Sequence, residues 1–348
     1  MTHEDPAIFP THLSQPSTAG IAVNHKRLHA ASITINAATP SGASTTTTML
    51  IPSRTSFACA LLSGLCAWLA LPATLRAAAW PSEVVGDAQV YKQTEDGPQK
   101  LYVLEPDDWK PTDRRPAIVF FHGGGWVGGP LSQFNDQSRY FASRGLVCIQ
   151  VQYRVVHPHT TTPPIVCIED ARSAMRWVRQ HAGALGVDSH CIAAAGASAG
   201  GHLAAHTALV AGVDDPSDDL TISPRPDALL LFNPVLDNGP GEYGAERVRD
   251  RVAELSPAAN VRRGAPPTVL FLGTTDPLVP VATLQRFRTA MLAAGARCEL
   301  HLYAGQTHGF FNRSKSVKYY KLTLHECAAF LTSLGWLPVD APNLPSTP

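Results

Sequence analysis

Cys191-Ile192-Ala193-Ala194-Ala195 runs straight into Gly196-Ala197-Ser198-Ala199-Gly200-Gly201, and small residues continue to Val210. A short apolar run, a glycine-flanked serine and a helical stretch describe a strand that turns sharply into a helix, with Ser198 at the corner. That corner strains the serine backbone and leaves no room beside it, so its neighbours have to lack bulk. The helix starting there aims the positive end of its dipole at the serine and favours negative charge beside it. A bare G-x-S-x-G says little in an alanine-rich chain. Strand, corner and helix together make Ser198 a candidate nucleophile.

Such a corner needs a sheet to stand in. Ala117 to Phe121, Leu146 to Val151, Ala228 to Phe232, Val269 to Leu272 and Leu300 to Tyr303 are further runs of strand length and character. Between Ile165 and His181, Ile168, Ala171, Ala174, Met175 and Val178 recur at helical spacing, and Val281 to Ala294 and Val317 to Leu334 also read as helices. The alternation predicts an α/β fold, a mostly parallel central sheet flanked by helices on both faces. In such sheets ligands bind at the carboxyl ends of the strands. Asp237 to Val261, poor in apolar residues, is expected as an insertion over the sheet.

With 348 residues, 45% of them hydrophobic, the chain can bury a large core. Lys+Arg and Asp+Glu both number 28, so there is no basic surplus to displace the counterions of a nucleic acid, and no such partner is expected. Of the seven cysteines, none lies in a C-x-x-C, and the pattern does not resemble a disulfide framework. His157-Pro158-His159 is the nearest approach to metal-ligand spacing and reads as a plain loop; neither metal nor cofactor is expected.

The N-terminus divides in two. Residues 1–48 are rich in Thr, Ser, Ala and Pro and read as disordered, and as an upstream extension outside the native protein. Met49, Arg54, the apolar run from Phe57 to Leu71 and Ala77-Ala78-Ala79 before Trp80 have the layout of a secretory signal peptide. The run is short for a membrane span, so residues 49–79 predict export, secreted or periplasmic, without stable membrane insertion. Residues 80–338 are then the functional domain and 339–348 a flexible tail. Cys66 follows Leu65 rather than a small residue, which argues against a lipoprotein. The oligomeric state is left open.

Three further motifs each follow a predicted strand. His122-Gly123-Gly124-Gly125-Trp126 has the order of an oxyanion loop, where glycines let backbone N–H groups approach a substrate. The N–H groups of Gly124, Gly125 and Ala199 are the expected oxyanion donors, and Trp126 is a candidate substrate contact or else a core residue. A serine hydroxyl needs a base, and the base an orienting carboxylate. Asp276, in Thr275-Asp276-Pro277, and His308, in Thr307-His308-Gly309, fit both roles. Asp237 is the rival carboxylate. His301 and His325 fall inside a strand and a helix, His202 reads as a packing residue, and His122 is expected to brace its own loop. Asp170 and Tyr153-Arg154 are expected to be structural.

On these motifs, and on Asp170 to Trp177, the stretch from Leu101 to Leu334 resembles the hormone-sensitive-lipase-like group of α/β-hydrolases. Within it the bifunctional acetylxylan/feruloyl esterase type is most similar. The resemblance implies a serine esterase working through an acyl-enzyme, with Ser198 attacking, His308 as base and Asp276 orienting it. Members of the hormone-sensitive-lipase group usually carry an N-terminal helical cap; here that cap is expected to be minimal or absent. The expected substrate is a small-molecule or polysaccharide ester, foremost an acetylated carbohydrate. A broad small-acyl or lipid carboxylesterase, an arylformamidase-type amidase and a non-catalytic binding module are the alternatives.

Overall fold

The computed structural model describes residues 82–338. The expected extension, leader and C-terminal tail, with Cys59 and Cys66, lie outside them. The chain opens with β1 (Asp87–Thr94) and β2 (Gly97–Leu104), followed by β3 (Arg115–Phe121), α1 (Asn135–Ala142), β4 (Val147–Val151) and α2 (Ile165–Gln180). Then come β5 (Val187–Ala197), α3 (Ala199–Leu209), β6 (Ala228–Phe232) and the single-turn helices α4 (Ala245–Val248) and α5 (Val252–Leu255). β7 (Thr268–Gly273), α6 (Val281–Ala293), β8 (Cys298–Tyr303) and α7 (Val317–Ser333) complete it.

The strands form one sheet of eight in the order β1-β2-β4-β3-β5-β6-β7-β8. β1 and β2 are an antiparallel hairpin, β2 pairs antiparallel with β4, and every later pairing is parallel. β4, β6 and β7 are buried at every residue, which is why they read as unbroken apolar runs rather than alternating ones. Their period of two still shows in which helices they meet. Val119, Phe121, Ile149, Leu231 and Leu270 pack with Ile168 and Met175 of α2, Leu203 of α3 and Phe287 of α6. Ile118, Phe120, Leu230, Phe232 and Phe271 pack on the opposite face with Phe141 of α1 and Leu324 and Phe330 of α7.

The hairpin and α1 lie outside the sequence expectations. β1 is exposed over its first four residues and carries a register irregularity between Val90 and Lys92, so it has no apolar signature. α1 buries Asn135, Gln137 and Ser138 beside Phe141 and Ala142, and those polar residues mask its inner face. The hairpin is anchored ionically. Lys92 Nζ lies 2.8 Å from Asp170 and 2.6 Å from Asp215, and Arg154 holds Asp170 from the other side at 2.7 Å. Removing one member of such a buried group typically costs 3–5 kcal/mol, roughly, because it strands its partner's charge. Asp170 and Arg154 thus have the structural role expected of them. The described cysteines are all free thiols.

Candidate active site

Ser198 sits where β5 gives way to α3, with φ 53° and ψ −119°. A non-glycine residue there costs about 1–3 kcal/mol, and the surroundings hold it in place. Its N–H donates to Phe232 O at 3.0 Å, and its carbonyl accepts from His202 N at 3.0 Å and Val235 N at 3.1 Å. Close approach explains the glycine that follows: a Cβ on Gly200 would stand 2.1 Å from Phe121 O. Ala199, the first residue of α3, is fully buried and heads the helix directly after the serine.

Parallel order sets the other loops beside this corner. β6, β7 and β8 follow β5 outward in the sheet, and Asp276 and His308 leave the carboxyl ends of β7 and β8. His308 Nδ1 donates to Asp276 Oδ2 at 2.8 Å. The Asp276 side chain is wholly screened from solvent, and its other oxygen accepts from Leu278 N at 2.8 Å and Val279 N at 3.0 Å. The carboxylate is thereby fixed at both oxygens. Asp237, the rival, turns elsewhere: its Oδ1 accepts from Gly239 N at 3.0 Å and its Oδ2 lies 3.6 Å from Arg286.

Ser198 and His308 line one cavity of about 260 Å³ with Gly123, Gly124 and Gly125. Gly123 N–H is already committed to Gln133 Oε1 at 2.7 Å. Gly124 has φ 133°, and a Cβ there would meet Gly128 O at 2.0 Å, so only glycine makes this bend. His122 is braced as expected. Its Nδ1 donates to Gly123 O at 2.8 Å, its ring stacks on Tyr153, and the Tyr153 hydroxyl donates to His122 O at 2.7 Å. Burial pushes the His122 imidazole below its ordinary value.

Trp126 needs correcting. It is fully buried, does not line the cavity, and lies edge-on to His202 with Tyr243 5.7 Å away on another side. Its indole lies between His202 of α3 and Tyr243 of the Asp237–Val261 insertion, and Tyr243 and Phe311 line the cavity in its place. The segment expected as an insertion packs against α3 and α6. Glu242, next to Tyr243, accepts from Thr283 Oγ1 at 2.8 Å and Arg286 at 2.5 Å, pinning it to α6.

The residues that sequence reasoning passed over are Asn233, Gln133, Asn312 and Tyr243, all on the cavity wall. Asn233 Nδ2 lies 3.3 Å from His308 Nε2, and its Oδ1 accepts from Gly309 N at 3.1 Å. Gln133 Nε2 donates to Asn312 Oδ1 at 3.3 Å, and Asn312 Nδ2 to Gly309 O at 2.8 Å. The glycine loop is thus tied to the histidine loop. Three larger concavities, of about 650, 570 and 530 Å³, lie along Glu83 to Asp107, between α6 and β8, and around Arg115 and Ser143. The first two contain no serine, and in the second burial pushes the Cys298 thiol up to about 12, an unreactive state. The Ser143 hydroxyl in the third donates to Tyr140 O at 2.8 Å, and no histidine lines that concavity. Among the described residues no cluster of His, Cys, Asp and Glu is placed to hold a metal, and no helix is long and apolar enough to cross a membrane.

α3 is latched to the insertion. His202 Nε2 donates to Leu255 O at 2.8 Å and His206 Nε2 to Glu254 O at 3.2 Å, joining the helix behind Ser198 to the insertion. Burial lowers His202 to about 4 and His206 well below its ordinary value. An unfolded histidine titrates near 6.5, so between about 6.5 and 4 the unfolded chain binds more protons than the native one. The stability is fully present above that window and is lost as pH falls through it. His202 alone accounts for about 3 kcal/mol at the low end. Thermal unfolding of wild type and His202→Gln across this range is the check: the difference in Tm between them changes with pH. A constant offset would mean His202 contributes nothing to acid sensitivity.

A family model described as alpha/beta hydrolase fold matches residues 118–312, a span containing Ser198, Asp276 and His308. The chain is 28% identical to the carboxylesterase NlhH of Mycobacterium tuberculosis, over 69% of this chain and 81% of that protein. It is 30% identical to the esterase LipC of the same organism over 59% of this chain, but spans only 56% of LipC. Among solved structures, apo Thermogutta terrifontis esterase 2 superposes with a TM-score of 0.69 at 44% identity, covering 74% of this chain and 97% of that one. The same esterase has been solved with propionate and with butyrate bound. A match over more than half of the chain, with likeness to a solved esterase over nearly all of its length, places the chain in the alpha/beta hydrolase fold family, and it is an esterase of that family.

Proposed function

We propose that the protein is a broad small-acyl carboxylesterase acting through an acyl-enzyme on Ser198. The observation that carries this is the pairing of His308 with a solvent-screened Asp276, on the same cavity as a serine held at a strained corner. Ser198 Oγ attacks the ester carbonyl while His308 Nε2 takes its proton. The backbone N–H groups of Gly124, Gly125 and Ala199 receive the oxyanion, each such donor being worth roughly 3–4 kcal/mol. His308 returns the proton to the leaving alcohol, and water then hydrolyses the acyl-serine by the same steps. Asp276 holds Nδ1–H throughout, so Nε2 presents its lone pair.

Size argues for short acyl groups. A cavity of about 260 Å³ walled by Tyr243, Leu278 and Phe311 is small beside the roughly 300–1,000 Å³ of pockets for drug-sized ligands. Propionate and butyrate occupy the similar Thermogutta esterase, which points the same way. Each methylene buried is worth about 0.8 kcal/mol, so butyrate should exceed acetate by roughly tenfold in kcat/KM until the wall is met. The measurement is kcat/KM for p-nitrophenyl acetate, butyrate and octanoate. Butyrate leads, and octanoate falls at least about tenfold below it. A preference for octanoate would make it a lipid esterase instead. Deacetylation of carbohydrate is the narrower form of the same chemistry, and release of acetate from acetylated xylan in the same panel tests it. Export by the segment 49–79 belongs to that narrower proposal.

A further inference from the structure

Asn233 stands at the end of β6, the strand between the one that delivers Ser198 and the one that delivers Asp276. It is 1% exposed and has φ 35°, a left-handed conformation that asparagine tolerates better than most residues. Its backbone is fixed by N–H donation to Phe271 O at 2.7 Å, within the β6–β7 pairing. Strain, burial and a committed backbone all point the amide one way.

The amide has one possible orientation. Gly309 N–H can only donate, so the atom 3.1 Å from it is the oxygen of Asn233. Nδ2 is then the atom facing His308 Nε2 at 3.3 Å, and it too can only donate. Nε2 must therefore carry a lone pair, and the ring proton must sit on Nδ1, where Asp276 Oδ2 accepts it at 2.8 Å. The two ring nitrogens are thus set independently, from opposite sides and by different strands. Asp276 is the charged group in contact with the ring.

We infer that Asn233 is a positioning residue for the ester hydrolysis proposed above: it selects the base-competent tautomer of His308, anchors the histidine loop at Gly309, and opposes a lingering proton on Nε2. The inference rests on His308 being the base. Nε2 has one lone pair, so the amide yields it to the Ser198 hydroxyl as the ester binds; once Nε2 is protonated the amide donor faces Nε2–H, which urges the proton on to the leaving alcohol.

Asn233→Asp is the sharpest probe. It preserves shape and still accepts from Gly309 N–H, but it turns a carboxylate oxygen toward Nε2. A carboxylate that close favours the protonated ring by about one to three pH units. The acid limb of kcat/KM for p-nitrophenyl acetate should therefore move up by at least about one unit relative to wild type, with kcat at pH 7 down by tenfold or more and KM little changed. Asn233→Gly keeps the backbone conformation and deletes both contacts. It should lower kcat about tenfold at constant KM, and it decides the matter if the aspartate variant does not fold. A folded Asn233→Asp with the wild-type acid limb, or Asn233→Gly with the wild-type kcat, would overturn the inference. Ser198→Ala run in parallel separates the two levels: activity surviving in it removes the proposed mechanism, whereas its loss beside an unmoved Asn233→Asp profile removes only the role of Asn233.

Discussion

Ser198→Ala lowers kcat for p-nitrophenyl acetate by about 10⁶-fold while leaving the fold in place. The expectation follows from what the substitution removes and what it spares. One oxygen atom is lost from a side chain whose residue is 8% exposed, so little packing changes. The bonds that hold the corner are backbone bonds, from Ser198 N–H to Phe232 O and from His202 and Val235 to Ser198 O, and alanine keeps all of them. The strain at φ 53° is paid equally by serine and alanine. Unfolding should shift by less than about 1 kcal/mol. The histidine, the aspartate and the glycine loop survive, which is why some rate above that of water should persist. Activity near the wild-type level in a variant that melts normally would move the nucleophile away from residue 198.

The parts of this molecule that were legible in its sequence are those whose physics is local. β4, β6 and β7 announce themselves because burial on both faces demands apolar side chains at every position. The serine corner is legible because its geometry admits only glycine at positions 196 and 200, where a Cβ would stand 2.2 Å from Gly200 O and 2.1 Å from Phe121 O. β1 and α1 are not legible, since one is a polar edge strand and the other turns polar residues inward. Trp126 was ambiguous for a related reason. Its neighbours His202 and Tyr243 lie 76 and 117 positions downstream, and no local pattern reports which layer an indole occupies. Asn233, Gln133 and Asn312 form no motif. Their importance lies in which loops they join, and only the order of strands in the sheet reveals that.

Asp276→Asn should lower kcat about 10⁴-fold, and Asp237→Asn less than about fivefold. Both carboxylates follow a strand at the same end of the sheet, so the sequence alone leaves them competing. The structure separates them by what each oxygen is bonded to. In Asp276, Oδ1 accepts two backbone N–H groups, from Leu278 and Val279. An asparagine there must keep its oxygen toward those donors, because its NH₂ cannot replace an acceptor. The NH₂ then faces His308 Nδ1, where the carboxylate had stood at 2.8 Å, and the ring can meet it only by moving its proton to Nε2. That tautomer presents a donor to the serine hydroxyl and cannot act as a base. Rotating the amide offers no escape, since it would strand both backbone donors in a site whose side chain is wholly screened from water. Asp237 has no such leverage: its bonds serve a turn at Gly239 and a loose contact with Arg286. The measurement is kcat for both variants on p-nitrophenyl acetate at pH 7 to 9, and the reverse order would assign the third member of the triad to Asp237.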